Sequence, residues 1–559
     1  MKHRTITVLF FLISFLRGET FLLSVRPRTL HGTLFSNLKK ETADETLVET
    51  TPELPHTHRP FQWKRNWYPV AIETELDPNL PHQVTVLNEP YVVWRQPVSG
   101  EWLCFKDACP HRLAPLSEGR IDESGTLMCT YHGWEFASDG SCARIPQASE
   151  AVAATALKSP RACASPVPLR RHLGMLFIWP DATEEGHREA DVTEIPTPPQ
   201  LKEDPSLLSG DDTLNARYLA YNWDTLVENV MDPAHVPHAH HGIQGNRKRA
   251  GPLDMEVLRT DSTNITLSFA LEGRETTPTV LSLRPPSLLF YSFDFSQFAG
   301  KAQKIAGIGR FLRRMMGKPV KTRHLSWEGL AKGGARGMLI AYLCPVRPGV
   351  SRLFSMFPNN FLDSPRPRWH DHVFNRNRVL DSDMVHLHFQ ERELRALTKD
   401  QEDASAATSR AFYMPTQSDL GVRLFRSWLG ETGGGQVGWT RGGVPLVEDL
   451  GLNWRDRTKI LNRWEQHTKD CSACRDALQR IRAGRRIAKV MSLLSGAMFL
   501  FFSPVVAATA TWSMARVVAL RWGQVFLLLL SAGCALLSSR LGKMEEWFLF
   551  KDYRHGIDS

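Results

Sequence analysis

Cysteine is scarce and scattered, with nine thiols at irregular spacings in 559 residues. That pattern excludes a secreted disulfide framework and leaves metal or redox use for specific pairs. A basic stripe interleaved with aromatics is missing too, which argues against a nucleic-acid partner. Lys and Arg exceed Asp and Glu by only nine, 68 against 59. The excess gathers in the N-terminal arm, at residues 310–321 and at residues 480–489, where charge facing a membrane is the better reading. The rest is ordinary for a folded protein: 42% hydrophobic and 23% charged residues are enough, at this length, for two globular units with accessory segments.

Acidic residues are absent from positions 21–40, where Arg26, Arg28, Lys39 and Lys40 alternate with Ser, Thr and Leu. Before this stretch, Lys2 and Arg4 precede an apolar run at residues 6–16, too short to span a bilayer but suited to the core of a signal peptide. Residues 1–40 therefore read as a bipartite signal and transit presequence, similar to those of algae whose plastids lie inside extra membranes. A plain secretory signal is the competing reading. Residues 41–60, acidic and rich in Pro and Thr, read as a linker.

Short apolar stretches punctuated by turns (83–87, 91–94, 102–105, 126–128 and 174–178) make residues 61–180 an expected small antiparallel β domain. Within it stand Cys109-Pro110-His111 and, after seventeen residues, Cys129-Thr130-Tyr131-His132. One cysteine and one histidine on each of two loops is what a Rieske [2Fe–2S] cluster requires. Thiolates (Cys109, Cys129) hold one iron and neutral imidazoles (His111, His132) hold the other. A Cys2His2 zinc site has the same inventory but places its cysteines and its histidines as separate pairs.

Further on, His235 and His240 have the spacing of the two histidines of a mononuclear Fe(II) site, where a 2-His-1-carboxylate set leaves positions open for O2 and substrate. His238 and His241 beside them have a surface or packing role as their simplest reading. The carboxylate must come from far along the chain, and Asp381 and Asp383 are the candidates, of which Asp381 could instead cap the helix. Near the C-terminus, Cys471 and Cys474 form a Cys-x-x-Cys pair. With no second such pair nearby it is weak for zinc, and it suits reversible oxidation. Two apolar segments at about 490–511 and 522–539 follow, each long enough to cross a bilayer, with residues 512–521, including Arg516 and Arg521, as the turn between them.

The Cys-Pro-His-Arg and Tyr-His-Gly-Trp runs, the iron histidines, the text at residues 342–352 and the Cys-x-x-Cys plus apolar tail together resemble the pheophorbide a oxygenase group of Rieske-type non-haem iron oxygenases. That group includes protochlorophyllide-oxidising and phyllobilin-hydroxylating envelope proteins. The resemblance implies Asp383 as the third iron ligand and Asp232 as a carboxylate bridging a cluster histidine to an iron histidine, commonly across the subunit boundary of a homotrimer. It also implies a ferredoxin or similar reductant, monooxygenation of a tetrapyrrole with O2, and residence as an integral protein of a plastid membrane, envelope or thylakoid. Pheophorbide a ring opening is the expected reaction. Chlorophyllide or protochlorophyllide oxidation, a non-catalytic redox component of the envelope import machinery, and a pure electron carrier are the alternatives. Chlorophyllide a oxygenase lacks the thiol pair. The basic stretch 301–336 is longer than the group leads one to expect. The expected fold is α+β: a Rieske β domain (61–180), a helix-covered antiparallel-sheet mononuclear iron domain (181–460), a Cys-x-x-Cys segment (461–489), a transmembrane helical hairpin (490–541) and a tail (542–559).

Overall fold

Strand His82–Val86 alternates buried and exposed side chains, whereas Glu89–Arg95 buries nearly all of its own. A sheet edge beside a sheet centre has this pattern. The computed structural model describes residues 61–204, 207–208, 214–270, 278–294, 336–359, 367–398, 404–440, 456–508 and 513–555. The expected presequence and linker, and the basic stretch as far as residue 335, lie outside the described residues.

Three small antiparallel sheets build the N-terminal domain. Glu89–Arg95 is the centre of one, between His82–Val86 and Trp102–Lys106; Tyr68–Ile72 pairs with Met175–Ile178 and through it with Leu169–His172. Arg120–Ile121, Leu127–Met128, Glu135–Phe136 and Cys142–Arg144 form the third. Val92, Trp94, Phe105, Leu127 and Phe136 make a small core directly under the two cysteine loops.

The second domain is a seven-stranded antiparallel sheet, in order Asn215–Leu219, Val350–Met356, Arg336–Arg347, Leu288–Asp294, Thr279–Arg284, Asn264–Phe269 and Met255–Asp261. Helices Trp223–Met231, Asn377–Thr398 and Leu420–Glu431 are packed with it. Trp63, from the start of the first domain, sits edge-on to Trp223 with ring centroids 5.2 Å apart, so a single hydrophobic core runs through both domains.

At the C-terminus, helices Ser472–Ala507 and Met514–Leu549, 36 residues each, pair along their length. At 1.5 Å per residue each is about 54 Å long, well beyond the ~30 Å hydrocarbon core of a bilayer. Both are long and apolar enough to cross a membrane, and Leu500, Phe501, Trp522 and Phe526 point outward, exposed. Arg482 and Arg485 both pair with Glu545 and tie the two helices together at their base. One expectation is corrected: residues 514–521 are not a turn, since Arg516 and Arg521 lie within the second helix. The helical hydrogen-bond ladder continues past the apolar window, and apolar length reports only the window.

Candidate functional site

The cluster loops have the same backbone. In residues 109–114 the Cys109 amide donates to the Ala114 carbonyl at 2.8 Å and the Leu113 amide to the Cys109 carbonyl at 2.8 Å. In residues 129–134 Cys129 donates to Trp134 and Gly133 to Cys129, again at 2.8 Å. The fifth residue of each loop has a left-handed backbone, Leu113 at φ 60° and Gly133 at φ 75°, a conformation that costs a leucine and not a glycine. Each loop thus turns a cysteine inward and leaves its histidine at the rim. Cys109 and Cys129 are buried, while the His111 and His132 rings are half-buried with centroids 4.6 Å apart. Trp134 stacks on His111 at 4.8 Å with 6° between the planes, fixing that ring. Buried Nδ1 of His111 has no hydrogen-bond partner, an uncompensated acceptor unless it ligates. One cysteine and one histidine from each loop fit a cluster whose two irons divide the donors by type, thiolates on one and imidazoles on the other.

His235, His240 and Asp383 each offer one donor atom, and the three atoms lie within 4.8 Å of one another. Helix Trp223–Met231 ends at Asp232, whose Oδ1 accepts the Ala234 amide at 2.8 Å and so starts the 3-10 turn Pro233–His235 that carries the first histidine. His235 Nδ1 donates to the Asp232 carbonyl at 2.5 Å. His240 Nδ1 lies 2.7 Å from Ser382 Oγ, whose hydroxyl already donates to the Val379 carbonyl at 2.6 Å. Ser382 can then only accept from His240, so in both rings Nδ1 carries the proton and Nε2 presents a lone pair. These two Nε2 atoms lie 3.2 Å apart, with the Asp383 carboxylate 3.8 Å from His235 Nε2 and 3.5 Å from His240 Nε2. Two lone pairs and a carboxylate converge beside the Asn229 amide, whose Nδ2 is 3.5 Å from His235 Nε2, and the residues fit a mononuclear iron. Burial pushes the Asp383 carboxyl up to about 6 and His240 down to about 3.

Asp381 has another task. Its Oδ1 accepts Arg217 Nη2 at 2.5 Å and its Oδ2 accepts Arg463 Nε and Nη2 at 2.8 and 2.6 Å, all three side chains being fully buried. It lies inside helix Asn377–Thr398, so it is neither a ligand nor the helix cap, and the helix begins upstream of the carboxylate it carries to the iron site. His238 is exposed and His241 accepts the Arg247 amide, so neither joins the set. Asp232 sits beside the iron histidines, with Oδ2 3.6 Å from His235 Nδ1 and its side chain 33% exposed. Cys471 and Cys474 are buried in a separate small core with Val373 and Phe548. Ser382, and the arginine pair that locks the helix, have no counterpart in the sequence reading. A serine beside an aspartate carries no motif of its own.

Residues 66–161 match the Rieske [2Fe-2S] domain and residues 284–401 the pheophorbide a oxygenase domain. Pheophorbide a oxygenase of Oryza sativa subsp. japonica is 34% identical over 92% of this chain and 88% of its own. The corresponding oxygenase of Arabidopsis thaliana is 32% identical over 89% and 84%. Flavonoid 8-hydroxylase 2 of Ocimum basilicum is 32% identical over 89% and 86%.

Proposed function

The chain belongs to the pheophorbide a oxygenase family of Rieske oxygenases, and from that premise we propose that it is a membrane-anchored monooxygenase of a chlorophyll-derived tetrapyrrole, with ring opening of pheophorbide a as its reaction. The observation that carries the catalytic reading is the complete His235, His240 and Asp383 set with both imidazole tautomers fixed. An electron carrier or a non-catalytic import component has no use for it. Iron content separates the readings, about two irons per chain for a carrier and about three for an oxygenase.

When bound, the cluster supplies single electrons and the mononuclear iron activates oxygen. His111 and His132 place their rings at the rim of the first domain, beside the exposed side chains of Leu113 and Tyr131, where a ferredoxin-type donor can reach them. The Asp232 side chain is one-third exposed, with Oδ2 3.6 Å from His235 Nδ1, while its carbonyl orients His235. That oxygen can accept an imidazole N–H from the cluster of a neighbouring subunit in a trimer, giving the electron a hydrogen-bonded route. Asp383, buried against the two histidines, contributes the compensating negative charge.

The apolar hairpin supports a plastid-membrane location, in which an apolar macrocycle enters laterally from the bilayer. Reading residues 1–40 as a bipartite presequence supports a complex algal plastid. Because a flavonoid hydroxylase is among the relatives, the substrate test must carry both classes. Purified protein with ferredoxin, its reductase and labelled oxygen is offered pheophorbide a, chlorophyllide a, protochlorophyllide a and a flavone. One labelled atom is expected in a ring-opened product of pheophorbide a. Labelled product from the flavone alone overturns the substrate assignment.

A further inference from the structure

Two cysteines and two histidines outside the iron sites meet at the root of the apolar hairpin. His372 opens the π-helical turn His372–Arg376 and His467 lies in the π-helical turn Trp464–Thr468, the kind of local helix distortion often found at functional sites. Cys471 caps helix Ser472–Ala507 and Cys474 lies in its first turn. All four are buried, none more than 5% exposed, and one donor atom from each lies within 4.8 Å of all the others. His467 Nε2 is 3.3 Å from Cys474 Sγ, and His372 Nδ1 is 3.5 Å from Cys471 Sγ and 3.7 Å from Cys474 Sγ. His467 Nδ1 donates to the Ala216 carbonyl at 2.8 Å, leaving its Nε2 lone pair aimed at sulfur.

We propose that His372, His467, Cys471 and Cys474 bind one divalent metal ion, with zinc as the ion their donor set selects. Two thiolates and two imidazoles converging on one enclosed point match a closed tetrahedral structural site. A Cys-x-x-Cys redox pair has no need of two histidines; here imidazoles from two separate segments approach the sulfurs. Binding is redox-neutral: Zn2+ displaces the two thiol protons, and four bonds form to two sulfurs and two nitrogens. A cavity of about 380 Å3, lined by Glu75, Arg368, His372, His467 and Cys471 among others, provides access for the ion. The site would act as a clamp. His372's turn runs straight into helix Asn377–Thr398, which carries Asp383, while Cys474 belongs to the first long helix of the hairpin. Zinc would therefore hold the membrane anchor and the iron helix in one frame.

The test uses full-length protein in detergent, purified without chelator. Metal analysis is expected to give about one zinc beside about three irons, with a zinc-edge X-ray absorption spectrum of two sulfur and two nitrogen neighbours. Replacing zinc with cobalt(II) should produce a thiolate-to-cobalt charge-transfer band. Cys474→Ser and His467→Ala should each drop zinc below about a tenth per chain while the Rieske spectrum stays. If those variants fail to fold, the wild-type absorption edge alone decides. A wild-type protein that keeps its cluster spectrum yet takes up neither zinc nor cobalt, or whose zinc has no sulfur neighbours, overturns the proposal. So does a Cys471–Cys474 disulfide in that protein as isolated.

Discussion

Cys109, His111, Cys129 and His132 come as one cysteine and one histidine on each of two loops, with the imidazoles half-buried at the rim of a small domain. His372, His467, Cys471 and Cys474 have the same composition, yet all are buried and their donors converge. Exposure of the imidazoles separates the two sets where composition does not. A cluster that must exchange electrons needs a ligand edge near the surface and donors split between two irons. An ion that only holds segments together is best served by closure. The comparison also explains why the Cys-x-x-Cys pair reads poorly for zinc in one dimension, since its partners are histidines, one of them 99 residues upstream of Cys471.

The most disruptive way to break the comparison is to make the first set more like an all-cysteine site. His111→Cys or His132→Cys should abolish turnover, remove the Rieske electron-resonance signature and lower the potential by on the order of 200 mV or more. An unchanged spectrum in both variants would sink the cluster assignment. Zinc content should not change, because the buried set shares no ligand with the loops.

Next in size is a contrast between two aspartates. Asp383→Ala should take iron from about three to about two per chain and turnover below detection, with the cluster spectrum intact. Asp381→Ala leaves Arg217 and Arg463 buried with no carboxylate between them and should destabilise the fold by about 3–5 kcal/mol, read as a fall in the denaturation midpoint. Iron loss in Asp381→Ala at full stability, with iron retained in Asp383→Ala, would reverse the roles.

A smaller loss is expected at the relay. Asp232→Asn keeps the backbone carbonyl that orients His235 and removes only the charge, so both metals should stay while turnover slows by about two orders of magnitude. Mixing Cys109→Ser with His235→Ala should then restore partial activity through interfaces that pair an intact cluster with an intact iron. If subunits demonstrably exchange and no activity returns, the inter-subunit route fails.

What was legible in the sequence is what is local. Each cluster loop is six residues long, and His235 and His240 share one short stretch, so motif and geometry coincide. Asp381 and Asp383 could not be separated on sequence alone because only the third dimension distinguishes them. Two residues apart on a helix they point about 200° from each other, one toward the arginines and the other toward the histidines. Arg217 and Arg463 lie 164 and 82 positions from Asp381, separations that periodicity does not register. Residues 514–521 are helical where the apolar pattern suggests a turn for a related reason: an apolar window marks where a bilayer could be, and helix Met514–Leu549 extends past it at both ends.

The finest distinction is between the buried set and the iron triad of His235, His240 and Asp383, and it lies in how their histidines are held. His467 is oriented by a backbone carbonyl, which substitution leaves in place, whereas His240 depends on a side chain, Ser382 Oγ, at 2.7 Å. Ser382→Ala removes the acceptor that keeps the proton on Nδ1. The ring can then rotate, turning Nε2 away from Asp383, or change tautomer, which puts a proton on Nε2 and removes its lone pair. The hydroxyl's own donation to the Val379 carbonyl is lost as well, but that carbonyl belongs to the same helix, which the Arg217–Asp381–Arg463 lock still holds. Iron affinity should therefore fall by about 10-fold with little change in denaturation midpoint. Titrating apo-protein with Fe(II), with the cluster spectrum as an internal standard, measures it. Unaltered affinity in Ser382→Ala would mean that His240 is oriented by the metal and not by the helix that carries Asp383.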